Sequence, residues 1–170
     1  TSILRAAAIN IKAGKIVQGG STISQQMVKN LFIKEDDRYK RSFSRKIVEL
    51  LIAFEVEDKY PKERILEIYL NQVYFGNLAY GIERAAQRYF SKPASKLNIT
   101  EASYLAGLLT APSYLSNNLE DALKRQTYVL EKMFSNGYIS KADYKKAVDS
   151  KLKFKPSKGN MSLFPHYFSY

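Results

Sequence analysis

The 170-residue chain has no cysteine, no tryptophan and only one histidine. Without cysteine there can be neither disulfides nor thiolate metal ligands, and the redox compartment stays open. The lone His166 lies in the last few residues, which argues against a Ser/His/Asp triad or a histidine-based metal centre. No apolar run approaches the roughly 20 residues of a membrane-spanning helix, and no stretch has the pattern of a signal peptide. Period-2 alternation is missing apart from short pieces in the tail, and there are no repeats or low-complexity tracts. Acid is the last shortage: 16 Asp and Glu against 27 Lys and Arg leave a formal net charge of +11. A charge of that size implies an anionic partner, which could be nucleic acid, an anionic membrane surface or a phosphorylated substrate.

What is present is a globular composition, 45% hydrophobic and 25% charged, of a length suited to one domain with a sizeable core. The apolar spacing is helical throughout. A first helix is expected over 2–13, stopped by Gly14. Gly19-Gly20-Ser21-Thr22 then turns into a helix, ISQQMVKNLF, and the charged run KEDDRYKRS reads as a loop. The stretch Arg45 to Val56, RKIVELLIAFEV, is apolar on nearly every side and is expected to be a buried central helix. Pro61 opens KERILEIYLNQVYF, and Gly76-Asn77 breaks it. AYGIERAAQRYF follows; Thr100 is expected to cap EASYLAGLL, and Ser140 to cap KADYKKAV after an amphipathic helix closed by Asn136-Gly137. The class is all-α.

Two stretches can carry chemistry. In GGSTISQQMVKN, a helix N-terminus offers free N–H groups and partial positive charge, with Ser21, Thr22, Gln25, Gln26 and Lys29 close by. The plain alternative is an N-cap on a surface helix. The P-loop spacing is absent. In RKIVE, Glu49 sits in the apolar helix with Arg45 at i−4 and Lys46 at i−3. A buried carboxylate must be paired or hydrogen-bonded. Glu49 is therefore either half of a structural ion pair or a reactive group, and if ionised it suits positioning or metal ligation. The cluster Lys34, Arg38, Lys40, Arg41, Arg45, Lys46, interleaved with Tyr39 and Phe43, suits an anionic membrane face as well as solvent.

GGSTISQQMVKN, RKIVE, KERILEIYLNQVYFG and AYGIERAAQRYF, in this order and spacing, resemble the peptidoglycan glycosyltransferase domain of class A penicillin-binding proteins. The resemblance covers residues 1–155, with 156–170 similar to the linker toward a transpeptidase domain. It implies a lysozyme-like helical fold on the outer face of the bacterial cytoplasmic membrane, membrane-anchored in the complete protein. The implied reaction polymerises lipid II with inversion at C1 and release of undecaprenyl pyrophosphate. Glu49 matches the catalytic glutamate of the R-K-x-x-E motif, which acts directly or through a divalent ion such as Mg or Mn; no organic cofactor is implied. Ser21, Thr22, Gln25, Gln26, Lys29 and Asn30 match the motif lining the donor-side cleft, and Arg45 and Lys46 its phosphate-facing cations.

The family's other glutamate, a general base in a Glu-Asp motif, would fall before Thr1, so this fragment alone is expected to be inactive. The implied partners are lipid II, the growing strand and an anionic membrane surface, with no nucleic acid. Two other readings remain: a muramidase or lytic transglycosylase on a lysozyme-like fold, and a non-enzymatic basic helical module for membrane or nucleic acid. The first needs a proton-donating acid, to which Glu49 beside two cations is poorly suited. The second has only the charge in its favour.

Overall fold

The computed structural model describes residues 21–32 and 43–155, with only the backbone of 43–45. The expected helix at 2–13, the charged loop and the tail from 156 onward, including His166, lie outside the described residues. The chain divides into two compact units, Thr1–Leu70 and Asn71–Tyr170.

In the first unit, α1 (Ile23–Phe32) starts directly after Thr22 and packs against α2 (Phe43–Lys59). Helix α1 buries Ser24, Gln25, Met27 and Val28. A third helix, α3 (Lys62–Gln72), begins here on bonds that Arg64 and Ile65 N–H donate to the Pro61 carbonyl, and it buries Ile65 and Tyr69, one turn apart.

Helix α2 is not the buried central helix expected from its composition. Among its described side chains only Glu49 and Ala53 are buried, at i and i+4, while Ile47, Val48, Leu51 and Phe54 are exposed. A helix that is apolar all round needs neighbours on every side to be buried. Among the described residues of this unit, α2 is covered along one stripe, and Glu49 rather than an aliphatic residue holds the covered position.

The second unit opens with a tight reversal where the helix was expected to run on to Phe75. Helix α3 stops at Gln72, Phe75 N–H donates to the Ala79 carbonyl at 2.8 Å, and Gly81 N–H donates to the Val73 carbonyl at 2.9 Å. A single antiparallel bridge joins Tyr74 and Tyr80, with ring centroids 4.7 Å apart. No strand forms among the described residues beyond this isolated bridge.

Helix α4 (Ile82–Phe90) and a 3-10 turn (Ala94–Lys96) lead into α5 (Ile99–Leu108), the short α6 (Pro112–Leu115), α7 (Leu119–Ser135) and α8 (Lys141–Asp149). The core of this unit is Ala85, Ala86, Tyr89 and Phe90 of α4 with Tyr104, Leu105, Leu108, Ala122 and Leu130. Helices α5 and α7 pack closely, and Gln126 Nε2 crosses between them to donate to the Thr100 carbonyl at 2.7 Å.

Helix α5 is capped by Asn98 and not by Thr100. The Asn98 side chain accepts from Glu101 N–H at 2.9 Å, and Glu101 Oε2 accepts from Asn98 N–H at 3.0 Å, a complete capping box. The sequence N-x-x-E satisfies two orphan donors reciprocally, which a cap two residues later would not. Thr100 instead lies buried in the first turn. The expected Ser140 cap and the stop at Asn136-Gly137 are both found.

The last described stretch, Lys151 to Lys155, is fastened to the core of this unit. Phe154 stacks on Phe90 (centroids 5.8 Å, interplanar 15°) and meets Tyr104 edge-on at 5.2 Å. Lys155 N–H donates to the Tyr89 carbonyl at 3.0 Å, and Ser91 Oγ donates to the Lys155 carbonyl.

Candidate active site

The site residues of the first unit are placed by how α1 begins. Thr22 Oγ1 accepts from Gln25 N–H at 3.2 Å, and Gln25 Oε1 accepts from Thr22 N–H at 3.3 Å. This is a second capping box, of the form T-x-x-Q, and it was legible in the sequence. It gives two of the six residues matched to the donor-side cleft a local task. Gln25 is buried and its carbonyl faces its own helix start, and the Thr22 hydroxyl is engaged as an acceptor. The box satisfies two N–H groups, so an anion at this end would meet the Ile23 and Ser24 amides and the side chains around them.

Ser21, just ahead of the cap, is exposed, and its Oγ accepts from Lys46 Nζ at 2.9 Å. The same ammonium donates to Glu49 Oε2 at 2.8 Å. Lys46 thus ties Ser21, ahead of the α1 cap and 25 positions back in sequence, to Glu49 on α2. Glu49 is 1% exposed, and Lys46 is half exposed along its side chain. The carboxylate is fixed from beneath by the helix while its cation keeps one side in water, so the pair presents positive charge outward from a buried negative group. Arg45 belongs to the same turn of α2. Lys29 and Asn30 are half-buried further along α1.

Gln26 is the exposed member of the glutamine pair, and its Oε1 accepts from Tyr69 Oη at 3.2 Å. Burial pushes the Tyr69 phenol above its ordinary value of 10.0, so it stays a neutral donor at physiological pH. Nothing in the spacing of the tyrosines singles out Tyr69, which reaches Gln26 from 43 positions away. Next to the cap, Ile23 and Ser24 also line a cavity of about 590 Å³ with Glu57, Lys62, Ile65 and Leu66.

The donor set does not fit a divalent ion held by the protein itself. Glu49 Oε2 is engaged by an ammonium, and no group of three His, Cys, Asp or Glu side chains converges among the described residues.

A capped helix start, a buried carboxylate and the half-exposed ammonium of Lys46 thus lie together in the first unit. The profile of the transglycosylase family matches residues 1–134, and the chain belongs to that family. Penicillin-binding protein 1A of Aquifex aeolicus (strain VF5) is 45% identical over 169 residues, covering 98% of this chain and 22% of that protein. Penicillin-binding protein 4 of Bacillus subtilis (strain 168) is 39% identical over 170 residues, covering 99% of this chain and 26% of that protein. Among solved structures, penicillin-binding protein 1A from Haemophilus influenzae matches with a TM-score of 0.53 at 26% identity, over 79% of this chain and 16% of the other. The all-α, lysozyme-like class expected from the sequence is therefore the fold found. The chain spans about a quarter or less of the length of the curated relatives it matches.

Proposed function

We propose that this chain is the glycosyltransferase part of a bacterial cell-wall synthase that polymerises lipid II. The 4-hydroxyl of an acceptor sugar attacks C1 of a lipid-pyrophosphate-linked glycan, the anomeric centre inverts, and undecaprenyl pyrophosphate leaves. The observation that carries the reading is Lys46, which binds Ser21 and Glu49 at once and so joins the family's two anion-facing motifs in one place.

In this reading Lys46 and Arg45 face the pyrophosphate, whose negative charge grows as the C1–O bond breaks. Glu49 holds the Lys46 ammonium in place and orders the leaving-group end; engaged at 2.8 Å by a cation, it places charge and does not shuttle a proton. Ser21, Gln26, Lys29 and Asn30 line the donor side, and Thr22 and Gln25 keep the helix start intact beneath them. A divalent ion, if the reaction uses one, travels with the substrate's pyrophosphate.

The same unit suggests the location: the outer face of the bacterial cytoplasmic membrane, with the complete protein anchored there. Ile47, Val48, Leu51 and Phe54 on α2 and Phe32 at the end of α1 are exposed apolar side chains, and the formal net charge is +11. An apolar face within a basic surface suits an anionic bilayer. None of the described helices is long and apolar enough to cross one.

The test is polymerisation of purified lipid II by the complete protein, with product strands resolved on gels. Glu49→Gln should abolish it. Retained polymerisation in that variant would remove Glu49 from the mechanism, and solubilisation of finished cell wall by the native protein would point to a glycan-cleaving enzyme instead.

A further inference from the structure

We infer that Tyr69 is a positioning residue for the substrate side of the site, holding the Gln26 carboxamide in one orientation through its hydroxyl. The inference rests on the lipid II reading for its kinetic consequence, but not for its structural one.

Gln25 and Gln26 are neighbours with opposite fates. Gln25 turns inward and closes the capping box, so helix formation alone fixes its amide. Gln26, about 100° further round the helix, is exposed, and nothing in helix geometry decides which way its amide faces. A terminal amide torsion is broad and nearly two-fold, so an untethered glutamine presents its carbonyl oxygen or its NH₂ with similar ease. Toward a pyrophosphate or a sugar hydroxyl lone pair those faces are opposite in kind: one donates and the other repels.

Tyr69 breaks that symmetry. Its ring is 5% exposed on α3, one turn from the buried Ile65, so the phenol cannot swing away. Its hydroxyl donates to Gln26 Oε1 at 3.2 Å. With the carbonyl oxygen held from the core side, the planar amide turns Nε2 and its two N–H groups outward, as donors. The bond is longer than the usual O–H···O distance and acts as a tether. Desolvation keeps the phenol protonated, which a donor requires. Tyr69 does not touch substrate in this scheme; it acts through Gln26.

The test compares Tyr69→Phe, which keeps the ring and removes only the hydroxyl, with Gln26→Ala and the double variant, all in the complete protein. In protein labelled with ¹⁵N at glutamine side chains, the Gln26 amide is identified by its loss in Gln26→Ala. That resonance should move in Tyr69→Phe while that of Gln25 stays. In lipid II polymerisation, Tyr69→Phe should raise KM roughly two- to tenfold, the worth of one hydrogen bond, with kcat nearly unchanged. The hydroxyl should matter only when Gln26 is present, so the double variant should be no worse than Gln26→Ala.

An unmoved Gln26 resonance overturns the inference whatever the activity shows. So do an unchanged KM in an active protein and losses that simply add. If the native protein does not polymerise lipid II, the proposed function fails, and the amide resonance still decides the role of Tyr69.

Discussion

The Lys46 ammonium donates to Glu49 at 2.8 Å, from a half-exposed side chain to a carboxylate that is almost wholly buried. The asymmetry sets what each substitution does. Lys46→Met takes the ammonium from a buried charge and should cost about 1–2 kcal/mol, less than for a fully buried pair because Lys46 is partly solvated. Adding Glu49→Gln removes the charge as well and should return part of that loss. Urea denaturation of the two variants measures the difference. If the double variant is less stable than Lys46→Met alone, the carboxylate does not depend on its cation.

Thr22 and Gln25 carry a different kind of risk, because their bonds serve the helix before they serve a substrate. Thr22→Ala should cost about 1 kcal/mol of stability through the lost cap, and Thr22→Ser should cost almost nothing. If both residues also touch substrate, Gln25→Glu, which keeps a capping acceptor, should lose activity while keeping its melting temperature. Equal activity in Gln25→Glu would confine Gln25 to capping.

What the sequence makes legible follows from the range of each signal. Helix starts and stops are local, so Ser140, the Asn136-Gly137 stop and the T-x-x-Q box at Thr22 can all be read in a few residues. Even there competition misleads: Thr100 is a good cap residue, but Asn98 with Glu101 closes a box and wins. Burial is not local. The composition of α2 says that it is apolar, not which of its faces finds a neighbour, and the buried side proves to run through Glu49 and Ala53. The contacts that assemble the site, Lys46 to Ser21 and Tyr69 to Gln26, span 25 and 43 positions and leave no periodic trace.

Two glycines with similar positive φ differ in what surrounds them. Gly81 has φ 85° and ψ 151°, a region open almost only to glycine, and Gly137 has φ 77°. A Cβ on Gly81 would stand 2.5 Å from the Asn71 carbonyl oxygen, whereas one on Gly137 would meet nothing within 4 Å. Gly137→Ala should therefore cost about 1 kcal/mol, from strain alone. Gly81→Ala must also displace backbone at the start of α4 and should cost at least about 3 kcal/mol, reducing yield and melting temperature together. Comparable losses at the two positions would mean that the approach of Asn71 is not rigid.

The bond from Tyr114 Oη to Asp121 Oδ2, 2.6 Å long, should give the protein a stability term that fades at both ends of the pH scale. The Tyr114 hydroxyl holds the Asp121 carboxyl below its ordinary value of 3.8, helped by a hydrogen bond from Lys124 and opposed by burial. In turn the bond to Asp121, with its negative charge, pushes the Tyr114 phenol above 10.0, against the opposing charge of Lys124. Because the folded value of Asp121 is depressed, its contribution is complete above about 3.8 and is lost as pH falls through the lower folded value. Because that of Tyr114 is raised, its contribution is complete below about 10 and is lost as pH rises through the higher folded value. Tyr114→Phe removes the tyrosine's contribution and its share of that of Asp121, leaving the bond from Lys124. The melting-temperature gap between native protein and variant should be flat through neutral pH and close toward both extremes, and it should be small, since both groups are solvent-exposed and screened. A gap that stays constant from acid to alkaline pH would show that the hydroxyl and the carboxylate are not coupled in solution.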